Sequence, residues 1–208
     1  MIISFSGIDS AGKSTQIKML KAHYIKSNKR VLVIWSRGGY TYLFNTIKKV
    51  ARFLFPKSMP KSGNSKKRDR AFQNRLVSKL WLNIALIELI MLYGLIFRFF
   101  KLFGCVVIAD RYIWDTFVDF KLKFKTFQVE KLACWKILTF IAPTPNYSFL
   151  ITIPIEESLH RSNLKNEPFS ESLEQRKRRF DKYEELIHQN KWKKNIDGMI
   201  PISGVWSI

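Results

Sequence analysis

Residues 5–16 read FSGIDSAGKSTQ, and the short run before them, IISFS (2–6), is apolar and rich in β-branched residues. Gly7, Gly12, Lys13 and Ser14 fit the pattern G-x-x-x-x-G-K-[ST], which needs a buried strand before it and a helix after it to work as an anion cradle. Both are predicted: IISFS as a strand, and Ser14 to about Lys26 as a helix with Ile17, Leu20 and Tyr24 on one face. Such a turn binds phosphate through backbone N–H groups turned inward, assisted by the partial positive charge of the helix N-terminus. On this reading the backbone from Gly7 through Ile8, Asp9, Ser10, Ala11, Gly12, Lys13, Ser14 and Thr15 surrounds the phosphates. Lys13 reaches the β- and γ-phosphates, and the Ser14 hydroxyl is a Mg²⁺ ligand.

Further apolar runs recur along the chain. VLVIWS (31–36), CVVIAD (105–110) and YSFLITI (147–153) read as buried strands, with KKNID (193–197) as a weaker fifth. Nearly continuous apolar strands separated by helical stretches are the mark of a parallel sheet covered on both faces. The fold class expected is therefore α/β: a three-layer α/β/α P-loop NTPase fold with a central five-stranded parallel sheet, formed by residues 1–208 as a single domain. Residues 56–75 break the alternation with two prolines, a glycine and seven basic residues against one acidic one. They read as an exposed basic insertion, solvated in preference to bound to nucleic acid, because no aromatic residue interleaves with the bases before Phe72. LWLNIALIELIMLYGLIF (80–97) is apolar enough for a membrane span, but a crossing there would separate the glycine turn from Asp110. It is expected to be a central helix on the sheet, not a transmembrane segment.

The 208-residue chain carries a net charge of +20, and the excess is uneven: 26 Lys/Arg face 7 Asp/Glu through residue 155, against 10 and 9 afterwards. That balance favours anionic partners, with nucleotide phosphates, nucleic acid and an acidic membrane surface all candidates. Cys105 and Cys134 lack metal-ligand spacing and His23, His160 and His188 are scattered, so neither a zinc site nor a disulfide framework is indicated. MIISFSG carries no secretory signal pattern, and a cytoplasmic location is expected.

Metal binding by a phosphate loop calls for a second carboxylate at the end of a buried strand, and CVVIAD supplies Asp110. Arg111 and Tyr112 follow, so a permanently charged, planar guanidinium sits beside the expected metal and suits a second phosphate group. Taken together, these residues resemble the thymidylate kinase family of P-loop nucleoside monophosphate kinases. FSGIDSAGKSTQ is similar to that family's phosphate loop, including the acidic Asp9 within it, and DRY (110–112) to its second motif. SRGGY (36–40) resembles a shortened arginine motif, which makes Arg37 an acceptor-phosphate ligand. RSNLK, with Arg161 and Lys165 one helical turn apart, resembles the lid over ATP, here residues 156–179. FDKYEEL (180–186) and NIDG (195–198) resemble the helix behind the lid and the last strand.

The resemblance implies an ATP- and Mg²⁺-dependent kinase that passes the γ-phosphate to a nucleoside monophosphate, with dTMP as the acceptor. Lys13 and the loop amides hold ATP, and Ser14 and Asp110 the Mg²⁺. Arg37, Arg111, Tyr112 and Asp115 join Asp9 around the acceptor, while Arg161, Lys165 and Arg178 close over the γ-phosphate. Two departures stand out: no Arg and Gln pair for reading thymine is found between 56 and 104, and Lys165 stands where many members carry arginine. Other readings stay open at this level, among them a kinase for a nucleoside or another phosphorylated metabolite, and a nucleotide-dependent binding protein without kinase activity. A guanine-dependent switch is disfavoured because no NKxD motif is present. Dimerisation is left open, and nucleic-acid or anionic-membrane contact through the basic surface is not favoured.

Overall fold

The computed structural model describes residues 1–36, 74–165 and 171–200. Arg37, most of the 56–75 insertion and the middle of the expected lid lie outside the described residues. Five strands form one sheet: β1 Ile2–Gly7, β2 Val31–Trp35, β3 Val106–Asp110, β4 Tyr147–Thr152 and β5 Lys194–Asp197. All pairs are parallel, in the order β2-β3-β1-β4-β5. Each expected strand is present within a residue or so of its expected bounds. The helices are α1 Lys13–Lys26, α2 Arg75–Met91, α3 Phe97–Leu102, α4 Ile113–Lys123, α5 Ala133–Ile141, α6 Ile155–Leu164 and α7 Leu173–Ile187. A π-helical turn, Leu92–Ile96, joins α2 to α3.

The strands alternate between two apolar cores. Ile2, Val107 and Ala109 pack with Leu82, Leu86, Leu89, Tyr93 and Phe97 of the α2–α3 rod and with Phe120 and Leu138. Ile3, Phe5, Val106, Ile108 and Leu150 pack on the other side with Ile17 and Leu20 of α1 and Tyr183 and Leu186 of α7. Helices thus cover both faces of the sheet, an arrangement compatible with three layers, α/β/α. Because successive strand side chains point to opposite faces and both faces are covered, β1, β3 and β4 read as nearly continuous apolar runs, interrupted only by the small buried serines Ser4, Ser6 and Ser148.

The expected central helix is present and longer than its apolar core suggests. Arg75–Leu102 is a 28-residue helical run whose most apolar 18-residue window has a mean hydropathy of 2.1, long and apolar enough to cross a membrane, yet 44% of that window is buried inside the protein. Asn74 caps its start, its side chain accepting from Leu76 N at 2.9 Å and Val77 N at 3.4 Å.

Strand register fixes the site. Phe5 stands opposite Asp110, Trp35 opposite Asp110 from the other side, and Gly7 opposite Ile151. The carboxyl ends of β1, β2 and β3 therefore come to one edge, where ligands bind in open parallel sheets.

Candidate active site

β1 ends at Gly7, whose φ of +142° lies in the left-handed half of backbone space. A Cβ there would meet the Ile151 carbonyl oxygen at 2.3 Å, so only glycine lets β1 turn this close to β4. The turn continues through Ser10 (φ 60°) and Gly12 (φ 95°), and α1 starts at Lys13. Asp9, Ser10, Ala11, Gly12, Lys13, Ser14 and Thr15 then line one open cleft together with Trp35, Asp110, Arg111 and Lys165. Two segments nearly a hundred residues apart, 9–15 and 110–111, thus converge at the carboxyl edge of the sheet.

Lys13 is buried, and its ammonium donates to Gly7 O at 3.0 Å and Ile8 O at 2.6 Å. Burial, reinforced by the neighbouring Arg111, pulls its pKa down to about 8 against the pull of Asp9, Asp110 and Asp115. Asp110 closes β3. Burial pushes its carboxyl above the ordinary range, partly offset by Lys13 and Arg111. Its Oδ1 is buried without a hydrogen-bond partner. An orphaned carboxylate oxygen beside a buried lysine is an expensive arrangement in an apolar interior, and a cation or a donor at that spot would relieve it.

Arg111 has φ 75°, a conformation unusual for a residue with a side chain. Its N–H donates to Phe5 O at 2.9 Å and its carbonyl accepts from Ser36 Oγ at 3.0 Å. The guanidinium pairs with Asp9 through Nη2 and lies 3.6 Å from Asp115 Oδ1 through Nη1. Asp115 is fully buried behind Arg111 and is not part of the cleft wall. Its Oδ2 accepts from Ser6 Oγ at 2.5 Å and Tyr112 N at 3.0 Å, and its Oδ1 from Tyr183 Oη at 2.7 Å. One carboxylate so joins β1, the start of α4 and α7, and steadies Arg111.

The remaining predicted residues divide. Lys165 reaches the cleft, whereas Arg161 turns to Glu157 at 2.6 Å and to Gly198 O at 3.4 Å. Arg178 is exposed and paired with Glu174 at 2.6 Å. Tyr112 has its ring against Tyr93 and Phe97 and its hydroxyl on Pro143 O at 2.8 Å, away from the cleft.

Sequence reasoning missed several supports. Ser36 Oγ shares a 2.7 Å hydrogen bond with Tyr93 Oη in the core. Ser158 Oγ donates to Asp9 O at 2.8 Å and accepts from the fully buried Arg176, which also donates to Glu171 O at 3.0 Å. Trp35, 49% exposed at the end of β2, adds an indole to the cleft wall. Its one local signal is a large aromatic ending an apolar strand.

Among the described residues no group of three or more His, Cys, Asp or Glu side chains could hold a metal ion. A Mg²⁺ here would rest on Asp110 and Ser14 plus phosphate oxygens and water. That donor set matches a small, hard cation that keeps much of its hydration, and the orphaned Asp110 oxygen fits it. No protein-family model matches the chain, and no curated protein matches it.

Proposed function

We propose that the chain is an ATP-dependent phosphotransferase with a P-loop NTPase fold, acting on a nucleoside monophosphate, with dTMP the first acceptor to test. The observation that carries this reading is the shared cleft, in which a Gly-Lys-Ser turn meets Asp110 and the buried Arg111 at the carboxyl edge of the sheet. The parallel topology and the residue types agree with it.

Transfer of a phosphoryl group asks for alignment and for neutralisation of spreading negative charge more than for a strong base. The turn amides and α1's N-terminus hold the β-phosphate. Lys13, now on the Gly7 and Ile8 carbonyls, exchanges those acceptors for phosphate oxygens and stays charged there. Ser14 and Asp110 would hold a Mg²⁺, which when bound would supply further neutralisation of the phosphate oxygens. Arg111, fixed on one side by Asp9 and on the other by Asp115, offers its guanidinium to the acceptor phosphate. Lys165 brings a mobile point charge to the cleft rim, and Trp35 a flat face against which a base stacks. Arg37 is proposed as a second acceptor ligand on the sequence pattern alone.

The deciding experiment incubates the protein with ATP, Mg²⁺ and a panel of nucleoside monophosphates and nucleosides, scoring phosphorylated product. Diphosphate formation that disappears in Lys13→Ala, with an unchanged far-UV spectrum, supports the reading. Phosphorylation of nucleosides alone would move the acceptor to a hydroxyl, and no transfer to any acceptor would overturn the kinase assignment. Arg37→Ala should raise the acceptor KM and leave ATP affinity in place.

A further inference from the structure

The α2–α3 rod carries a feature that phosphoryl transfer does not use. Leu76, Leu80, Ile87, Met91, Leu95, Phe99 and Leu102 are all between 43% and 85% exposed. Steps of four and seven residues, closed by one of three, put them on one stripe along the whole rod. Three successive steps of four, from Ile87 to Phe99, would drift around a regular helix, and the wider π turn at Leu92–Ile96 takes back part of that rotation. The opposite side, with Leu82, Leu86 and Leu89, is wholly buried against the sheet. The stripe therefore faces outward, and the cleft at the sheet's carboxyl edge stays clear of it.

Four exposed cations, Arg75, Lys79, Arg98 and Lys101, each directly precede a stripe residue. One position earlier on a helix is a constant rotation, so all four line the same flank of the stripe. The only acidic residue between 74 and 104 is Glu88, which is 3% exposed. An outward apolar stripe edged by cations, with no exposed anion, has the composition of a helix that lies in a membrane interface.

We propose that this face docks the protein on an anionic lipid bilayer, with the rod parallel to the surface, the stripe at the headgroup–acyl boundary and Lys79 and Lys101 of the cation row on lipid phosphates, Arg98 donating instead to Ile141 O at 2.7 Å. The rod does not span the bilayer in this state, because Leu82, Ala85, Leu86, Leu89, Tyr93 and Phe97 are 0% exposed within the core. Charge favours lipid over a second copy: each chain carries +20, and the face offers no exposed acid to meet a partner's cations. Nucleic acid would satisfy the cations and leave the leucines and phenylalanine in water.

The test uses the full chain with vesicles of phosphatidylcholine, with and without phosphatidylglycerol, at low and high salt. Sedimentation should show binding that needs the anionic lipid and weakens with salt. Leu95→Ser/Phe99→Ser should reduce partitioning about tenfold or more, since two exposed apolar groups are lost. Lys79→Gln and Lys101→Gln should each reduce it about fivefold. All variants should keep the wild-type melting temperature, because every changed side chain is exposed. Binding undiminished in Leu95→Ser/Phe99→Ser would mean that bulk charge alone attracts lipid, and would overturn the proposal. So would absence of vesicle binding, whether the chain is then monomeric or forms a dimer that the same double variant dissociates.

Discussion

Asp115→Asn separates a residue that holds the site from one that touches substrate. The carboxylate is fully buried and accepts three hydrogen bonds, from Ser6 at 2.5 Å, Tyr183 at 2.7 Å and Tyr112 N at 3.0 Å, while facing Arg111 at 3.6 Å. Asparagine has the same shape. Its oxygen can replace Oδ2 and keep Ser6 and Tyr112 N, but its amide then faces Tyr183 and the guanidinium. Tyr183 can rotate its proton and accept, whereas Arg111 loses a counter-charge. Breaking a buried ion pair typically costs about 3–5 kcal/mol. Here Asp9 still neutralises Arg111, so the cost falls below that range, about 2–3 kcal/mol. For a chain of this size each kcal/mol moves the midpoint by about 2–4 °C, giving a fall of about 4–12 °C by calorimetry. Released from one side, Arg111 should also raise the acceptor KM and leave the ATP KM unchanged. Asp115→Ala, which removes every acceptor, should fall further. A midpoint unchanged in Asp115→Asn, with acceptor binding lost, would refute the reasoning and make Asp115 a direct ligand.

Three other outcomes follow from the geometry. Gly7→Ala should destabilise by about 2–3 kcal/mol and weaken nucleotide binding, because its Cβ meets backbone that cannot yield, whereas Gly12→Ala, with no atom within 4 Å of its Cβ, should cost only about 1 kcal/mol of conformational strain; denaturant midpoints rank the two. Lys13 titrates near pH 8 when folded and near 10.5 when unfolded, so the unfolded chain binds more protons between those values and Lys13's contribution to stability rises with pH across that window. Bound phosphate favours the charged lysine, so ATP affinity measured by calorimetry should fall above about pH 8, with proton uptake on binding, and Lys13→Met should lose that dependence. Ser158→Ala should cost about 1–3 kcal/mol, read as a lowered thermal midpoint, because it strips a donor from Asp9 O and an acceptor from buried Arg176.

The sheet was legible because burial on both faces writes itself into consecutive residues. VVIAD is apolar at every position before its terminal aspartate, YSFLIT nearly so with Ser148 its one buried polar residue, and their length matches a strand. Strand ends shifted by a residue because end residues answer to the loop as much as to the ladder: Ser36 leaves β2 to bond Tyr93 and the Arg111 carbonyl. The long helix was legible in existence but not in its two-sidedness. Leucine, isoleucine and phenylalanine occur both on the buried side and on the stripe, so the moment that marks an amphipathic helix is blurred.

At the site, the two segments that meet at the cleft, 9–15 and 110–111, were legible because a phosphate cradle needs particular residue types at fixed local spacing, whereas Tyr112 in the same run turns into the core. What positions the two segments was not legible, because hydrogen bonds pair residues by space and leave no spacing to read. Asp115 meets Ser6 across 109 positions and Tyr183 across 68, and Ser158 meets Asp9 across 149. Asp115 was named among the residues expected around the acceptor, but its side chain reaches the site only through Arg111. Its burial has a physical cause: a guanidinium with two free sides would sample many orientations, and a carboxylate on each side leaves one. The pair of acids, one in the glycine turn and one in α4, also explains why the turn carries Asp9, a residue that phosphate binding alone disfavours. On the proposed reading its negative charge would work against a triphosphate by direct repulsion, and Arg111, held in place by Asp115, offsets that charge.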